Sequence, residues 1–137
     1  MAAIDGHCAG RQPVLWAACG LACLVIAGCG GKNYQPPAAA DPVAARAALE
    51  KSLDAWRLRI MPEELAKAEP AITVADPDWQ AGHRLVEFQL QPGEQALGTS
   101  IYWPVKLKVV PPNSYEQWQD ATYIVSTNPI IHISRQD

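Results

Sequence analysis

Thr99-Ser100-Ile101-Tyr102-Trp103-Pro104-Val105-Lys106-Leu107-Lys108-Val109-Val110 alternates apolar and polar side chains along most of its length. The apolar side chains occupy every second position, at Ile101, Trp103, Val105, Leu107 and Val109. A period of two with one wetted face is typical of a strand in an antiparallel sheet that is covered on one side. Pro104 falls on the polar face. Because proline has no amide donor, its presence predicts a sheet edge or a bulge at this position.

Four shorter segments have weaker strand patterns. They are residues 71–74, 84–91, 121–127 and 130–134. Within residues 84–91, the alternation predicts Val86, Phe88 and Leu90 on the buried side. Asn128-Pro129 separates the last two segments, which form either one interrupted strand or a pair of strands. With the opening stretch, these segments predict a sheet of four or five strands.

A helix is predicted upstream of the strands, over residues 42–60. Asp41-Pro42 supplies an N-cap residue and a proline at the first helical position, where its missing amide is not needed. The apolar residues of this segment recur at helical spacing and share one face: Leu49, Leu53, Trp56 and Ile60. Pro62 ends the helix, and residues 62–68 predict one or two further helical turns.

The order of these elements predicts an α+β domain over residues 42–137. The N-terminal helix is expected to pack on a curved, mostly antiparallel sheet of four or five strands. In topology this layout is similar to the cystatin-like and nuclear-transport-factor-2-like superfolds, and the similarity implies a roll with a pocket beside the helix. It rests on no residue motif, so it assigns no role to any side chain.

An apolar run without charges precedes the domain, over residues 14–28. It is short for a bilayer-spanning helix, which needs about 20 apolar residues, and suits the core of a signal peptide. The run ends in Ile26-Ala27-Gly28-Cys29, which resembles the lipobox of bacterial lipoproteins. The resemblance implies cleavage before Cys29, a diacylglyceryl thioether on its sulfur and an acyl chain on the new amine.

Two or three acyl chains hold a small domain at a membrane, because each buried methylene contributes about 0.8 kcal/mol. The alternatives are an uncleaved membrane anchor, for which the run is short, and a plain secretory signal, which leaves Cys29 without a role. The lipoprotein interpretation divides the chain into residues 1–28 as signal peptide, 29–41 as lipidated cysteine and flexible tether, and 42–137 as the domain.

The position after the cysteine bears on localisation. In lipoproteins of Gram-negative bacteria, aspartate at that position often marks retention in the inner membrane. Gly30 stands there instead, so the resemblance implies the outer membrane if the source is Gram-negative. The chain is thus expected in the bacterial cell envelope, attached to the membrane through the lipid on Cys29.

Composition excludes several classes of partner and site. The formal net charge of −3 argues against nucleic acid and against electrostatic capture by an anionic lipid surface. Cysteines occur at four positions, namely Cys8, Cys19, Cys23 and Cys29. Only Cys29 survives processing, so the sequence predicts no disulfide and no thiolate metal site.

The polar residues predict no catalytic or metal site and no cofactor. His83 and His132 have no close ligand at helical or strand spacing, and alternation points His132 away from its isoleucine neighbours. Asp76-Pro77-Asp78 is interpreted as a turn whose carboxylates bond nearby amides. The weak candidates for an acid or base are Asp54, Glu87 and His132. The chain is therefore not expected to be an enzyme.

The aromatic residues give the one lead to a binding surface. The predicted buried faces include Trp56, Phe88 and Trp103, whereas the predicted loops hold Trp79, Tyr115 and Trp118. Rings in loops either fold down as a lid or face a partner. Trp79, Trp103 and Trp118 are the candidates for a pocket or partner surface. Two functions follow: a non-catalytic module that holds an envelope protein partner, or a pocketed domain that binds, or even converts, a small hydrophobic ligand.

Overall fold

Three short or medium helices and six strands make up the part of the chain that the structure describes. The computed structural model describes residues 36–136; the leader, Cys29 and most of the tether lie outside this range. The elements are α1 (Pro42–Arg57), α2 (Pro62–Ala66), β1 (Ile72–Ala75), α3 (Pro77–Gln80), β2 (Arg84–Leu90), β3 (Gln95–Leu97), β4 (Ser100–Val110), β5 (Gln117–Ser126) and β6 (Ile131–Gln136).

α1 begins at a side-chain cap, and a residue in the left-handed conformation follows its last turn. The Asp41 carboxylate accepts hydrogen bonds from the amides of Val43 and Ala44, and Pro42 occupies the first turn. The buried face of α1 comprises Ala45, Ala48, Leu49, Ser52, Leu53, Ala55 and Trp56. The helix was predicted to run to about Ile60, but it ends at Arg57.

The early end of α1 has a specific geometry. The amide of Arg59 donates to the carbonyl of Trp56 at 2.9 Å, and the amide of Ile60 donates to that of Ala55 at 2.9 Å. Arg59 adopts φ +62°. This pair of hydrogen bonds around a left-handed residue is the Schellman motif, in which glycine usually holds that position. Because arginine stands there instead of glycine, no residue pattern marked the end of the helix.

The strands form one sheet in the order β1-β6-β5-β4-β2, with β3 also paired to β4. β1 pairs with β6 in parallel, and every other strand pair is antiparallel. The structure thus confirms an α+β fold with a curled, mostly antiparallel sheet. Four or five strands were predicted: five form the continuous path of the sheet, and the sixth, β3, was not foreseen because it has only three residues, all exposed, and no alternation marks it.

β4 lies inside the sheet and has the predicted alternation. Its five apolar alternate residues are all buried. Pro104 lies neither on an outer strand nor at a bulge: β5 flanks it on one side, and its carbonyl accepts from the Gln91 amide on the other. In an antiparallel strand the nitrogen and carbonyl of a residue point to the same side. The missing donor therefore faces the break between β2, whose pairing with β4 extends to Val105, and β3, whose pairing with β4 begins at Tyr102.

β2 contains a bulge that changes which residues face the core. The register with β4 shifts between Leu85 and Glu87. Leu85 is buried, whereas Val86 is only half-buried, so the prediction of Val86 on the buried face is wrong. The extra residue shifts the alternation by one position at the start of the strand.

The inner face of the sheet and the apolar faces of the helices contribute to one core. Trp56 and Trp103 are 2% and 4% exposed and belong to this core, as predicted. Phe88 is half-buried and packs against the core from its margin. Among residues 36–136, no helix is long and apolar enough to cross a membrane.

Candidate functional site

The Asp76-Pro77-Asp78 segment caps the short helix α3. Oδ1 of Asp76 accepts hydrogen bonds from the amides of Asp78 at 2.9 Å and Trp79 at 3.0 Å. The prediction that a carboxylate in this segment bonds nearby amides is confirmed. Asp76 also continues the inward alternation of β1, where Ile72 and Val74 are buried, and its side chain is 1% exposed.

Five side chains converge at this point and form what we call the buried polar cluster: Asp76, Asp78, Gln119, Tyr123 and Arg135. The Tyr123 hydroxyl donates to Oδ2 of Asp76 at 2.5 Å. Oδ2 of Asp78 accepts from Nη1 of Arg135 at 2.5 Å and from Nε2 of Gln119 at 2.6 Å. Nη1 of Arg135 also lies 3.8 Å from Oδ1 of Asp76. Each carboxylate is thereby matched by donors from β5 or β6.

Burial and hydrogen bonding act in opposite directions on Asp78. Burial alone raises the pKa of its carboxyl group, but the hydrogen bonds from Gln119 and Arg135 and the charge of Arg135 outweigh it. The pKa of Asp78 therefore lies below its ordinary value. Burial, followed by the neighbouring charge of Asp76, raises the pKa of Tyr123 well above its ordinary value, so its hydroxyl remains a donor.

The lowered pKa of Asp78 predicts a specific loss of stability in acid. A carboxylate whose pKa is depressed by folding stabilises the fold fully above its unfolded pKa, about 3.9, and loses that contribution as pH falls through the folded pKa. We expect Asp78→Asn to be less stable than the unmodified chain at neutral pH, with the difference shrinking below about pH 4. Urea midpoints measured by circular dichroism across that range test this.

The control for the pH series is Asp120→Asn, which removes an exposed carboxyl group on β5. As an exposed surface substitution it is expected to change stability by no more than about 0.5 kcal/mol. The expected pH dependence rests on the lowered pKa of Asp78. A difference in stability between Asp78→Asn and the chain without substitutions that stays constant down to pH values near 2 would contradict that lowered pKa.

A cleft of about 330 Å³ opens beside the buried polar cluster, and we call it the tryptophan cleft. It lies where the C-terminal end of α1 meets α3 and the start of β2. Its principal side chains are Trp56, Arg59, Met61, Trp79, His83 and Arg84. The side chains that line it, all within the described range, include two arginines and no acid.

Two tryptophans form the fixed wall of the cleft. The rings of Trp56 and Trp79 stack with centroids 5.5 Å apart and planes 8° from parallel. Nε1 of Trp56 donates to the carbonyl of His83 at 2.8 Å, which joins the end of α1 to the loop before β2. Both tryptophans are at most 5% exposed, so only part of each ring reaches the cleft.

His83 connects the cleft to the buried polar cluster. Its Nδ1 lies 3.3 Å from Oδ1 of Asp78 but is not aligned for a hydrogen bond, so the contact is electrostatic. The charge of Asp78 is already matched by Arg135. Arg59 and Arg84 are exposed, and neither guanidinium has a hydrogen-bond or ion-pair partner within residues 36–136. The cleft is therefore lined by two arginines whose guanidiniums have no partner within residues 36–136, beside an aromatic wall.

The structure separates the three tryptophans named from the sequence. Trp79 lies on α3 and is 5% exposed, rather than in a loop, and it is the one that lines the tryptophan cleft. Trp103 is buried in β4. Trp118 lies on β5, not in the predicted loop, and is 48% exposed with Nζ of Lys108 6.0 Å from its ring centroid. Only Tyr115 keeps the predicted loop position, with 91% exposure.

The remaining candidates are spread over the surface. Asp54 pairs with Arg57 on α1, and Glu87 accepts from Gln89 on β2. His132 lies on the exposed side of β6, opposite to Ile133, as alternation predicted. Within residues 36–136, no group of three His, Cys, Asp or Glu side chains could hold a metal ion. Ile26, Ala27, Gly28 and Cys29 lie outside the described residues.

Sequence reasoning missed Arg59, Arg84, Tyr123 and Arg135. One signal was available: Arg135 follows Ile133 by two residues and therefore shares its inward face. No comparable signal marked Arg59 or Arg84, since both appear as ordinary surface arginines. Comparisons with protein-family models, curated proteins and solved structures give no match to this chain.

Proposed function

We propose that the protein is a membrane-anchored bacterial envelope lipoprotein whose small domain binds a partner or ligand without catalysing a reaction. The single observation that carries the anchor is Ile26-Ala27-Gly28-Cys29 at the end of an uncharged apolar run. A tether rich in glycine, proline and alanine then precedes the Asp41 cap of α1. With a lipid on Cys29, the flexible tether would space the domain from the membrane.

The state of the buried polar cluster supports binding rather than catalysis. Asp76 and Tyr123 hold one another, and Asp78 is held by Gln119 and Arg135. A catalytic acid or base must reach a substrate and exchange a proton with it. These groups instead connect α3 to β5 and β6, which is a structural role.

The tryptophan cleft supports a binding role for the domain. It combines preordered aromatic surface with two guanidiniums that have no partner in the described part of the chain. This cleft also favours a second candidate, a domain that binds a small ligand, as the nuclear-transport-factor-2-like alternative implies. Its position differs from that alternative, since the cleft lies at the C-terminal end of α1 rather than along its side.

Lipidation at Cys29 is tested by replacing it with serine in the full chain expressed in a bacterial host. We expect the chain without substitutions to incorporate an alkyne-labelled palmitate and to enter the detergent phase on phase separation. The Cys29→Ser chain is expected to lose the label, because the thioether cannot form and processing by the lipoprotein route stops. Label incorporation and the mass of the mature amino terminus are the measurements.

The matched control is Cys23→Ser, which removes a leader cysteine and is expected to leave label and mass unchanged. Labelling that persists in Cys29→Ser, or a mature chain that begins elsewhere than at Cys29, would refute the anchor. If the host is Gram-negative, density-gradient separation of the membranes tests the further expectation, from Gly30, that the protein reaches the outer membrane.

A further inference from the structure

We propose that the tryptophan cleft binds a small oxyanion, a carboxylate or a phosphate, that carries an apolar group; this inference rests on the binding role proposed above. The cleft offers two kinds of surface in one place, cationic at Arg59 and Arg84 and apolar at the two tryptophans and Met61. A ligand that matches both surfaces has a charged end and an apolar end.

The charge of the cleft departs from that of the whole chain. The full sequence carries a formal net charge of −3, yet the lining contains two arginines and no Asp or Glu. The other described arginines are engaged: Arg46 with Glu50, Arg57 with Asp54 and Arg135 with Asp78. Unpaired guanidiniums are matched by carboxylate or phosphate oxygens, which they bind through two parallel hydrogen bonds.

The apolar part of the cleft is held in place before any ligand arrives. Trp56 is fixed by its stack on Trp79 and by its hydrogen bond to the His83 carbonyl. Met61 is 58% exposed and unbranched, so it can adjust to the shape of an apolar group. A rigid aromatic wall with one adaptable side chain reduces the ordering that binding would otherwise require.

Backbone strain at Arg59 is a second and independent observation. Arg59 holds the left-handed position of the Schellman motif, with φ +62°, where glycine is the residue without a steric cost. A non-glycine side chain at a backbone conformation that disfavours it points to a role for that side chain. The strained residue is also one of the two cations of the cleft.

The size and position of the cleft favour a small soluble molecule over a membrane lipid. A volume of about 330 Å³ lies at the lower end of the range for small-molecule sites. The tether enters the domain at Asp41, whereas the cleft lies at the other end of α1, about 24 Å away for a helix of 16 residues. The cleft is thus at the opposite end of α1 from Asp41.

Titration of the full chain in nonionic detergent with phenyl phosphate tests the proposal, with heat of binding as the readout. Inorganic phosphate and phenol serve as half-ligands that carry only the charge or only the ring. We expect phenyl phosphate to bind in a saturable way and about tenfold or more tightly than either half-ligand. No saturable binding of phenyl phosphate, or binding of phenol with equal affinity, would overturn the proposal.

Three variants assign the site. Arg84→Gln and Arg59→Gly are each expected to weaken phenyl phosphate binding about tenfold or more, and the double variant to abolish it. Arg59→Gly is also expected to keep or raise the melting temperature, because glycine relieves the left-handed strain. Lys106→Gln removes an exposed lysine on β4, outside the cleft, and is expected to bind like the unmodified chain. Equal binding by the double variant and the unmodified chain would overturn the site.

Monomeric dihexanoyl phosphatidylglycerol, added as a competitor, distinguishes the two sources of phosphate chemistry. We expect it to displace phenyl phosphate weakly. Displacement at lower concentration than phenyl phosphate itself would assign the cleft to a lipid headgroup and refute the soluble ligand. Since the titration does not depend on the lipid anchor, failure here leaves the Cys29 labelling result as it is, and a failed Cys29 test leaves the titration interpretable.

Discussion

Replacing Asp76 with alanine is expected to lower the free energy of unfolding by about 3–5 kcal/mol, the range for breaking a buried charged network from one side. Asp76 is 1% exposed and accepts three hydrogen bonds, two from the amides that begin α3 and one from the Tyr123 hydroxyl. Alanine removes both carboxylate oxygens and with them all three hydrogen bonds. It also leaves the Tyr123 hydroxyl buried without its acceptor and Arg135 with one carboxylate fewer.

The measurement for Asp76 is urea unfolding of the full chain in nonionic detergent, followed by circular dichroism. Asp76→Asn is expected to cost less than Asp76→Ala, because the amide oxygen still caps α3. Asp120→Ala, an exposed aspartate on β5, is expected to change stability by no more than about 0.5 kcal/mol. If Asp76→Ala costs no more than Asp120→Ala, the buried polar cluster does not stabilise the fold.

Replacing Trp56 with alanine is expected to lower the free energy of unfolding by about 3–5 kcal/mol, the range for removing a buried aromatic ring. Trp56 is 2% exposed, stacks on Trp79 and donates to the His83 carbonyl. Alanine removes the contact between α1 and α3 and leaves a cavity in the core. The carbonyl of His83 also loses its donor, which loosens the connection to the start of β2.

Two controls separate the contributions of Trp56. Trp56→Phe keeps most of the ring but loses the indole donor, so a smaller loss of about 1–2 kcal/mol is expected. Trp118→Ala removes a tryptophan that is 48% exposed, and we expect a loss below about 1 kcal/mol. Urea midpoints by circular dichroism avoid the change in fluorescence that each substitution causes. Equal losses for Trp56→Ala and Trp118→Ala would contradict the assignment of Trp56 to the core.

Some elements of the fold follow from local chemistry and were therefore predictable. The alternation along β4 reflects a strand with one buried face, and each apolar position is buried. The Asp41 cap of α1 and the Asp76 bonds to α3 involve residues two and three positions apart. Interactions at such spacing depend on the neighbouring sequence alone, so a residue pattern is sufficient to identify them.

Other elements depend on pairing between distant segments, and pattern analysis missed or misplaced them. The bulge at Val86 shifts β2 against β4 and brings Leu85 to the core, which alternation within β2 did not reveal. Trp118 was expected in a loop, yet the ladder between β4 and β5 extends to it and pairs it with Lys108. A strand ends where its partner strand no longer supplies backbone hydrogen-bond partners, and that partner is distant in sequence.

The sequence by itself determined the alternation along β4, the Asp41 cap of α1 and the local hydrogen bonds of the Asp76 carboxylate, and it carries the prediction of a lipid on Cys29. Tertiary structure alone decided the buried polar cluster and the tryptophan cleft. Tyr123 and Arg135 lie 47 and 57 residues from the aspartates that they contact, and the β5–β6 register sets them side by side. Arg59 and Arg84 likewise meet at one cleft because the indole of Trp56 joins the end of α1 to His83. Such convergence is a property of packing between elements, and no single stretch of chain encodes it.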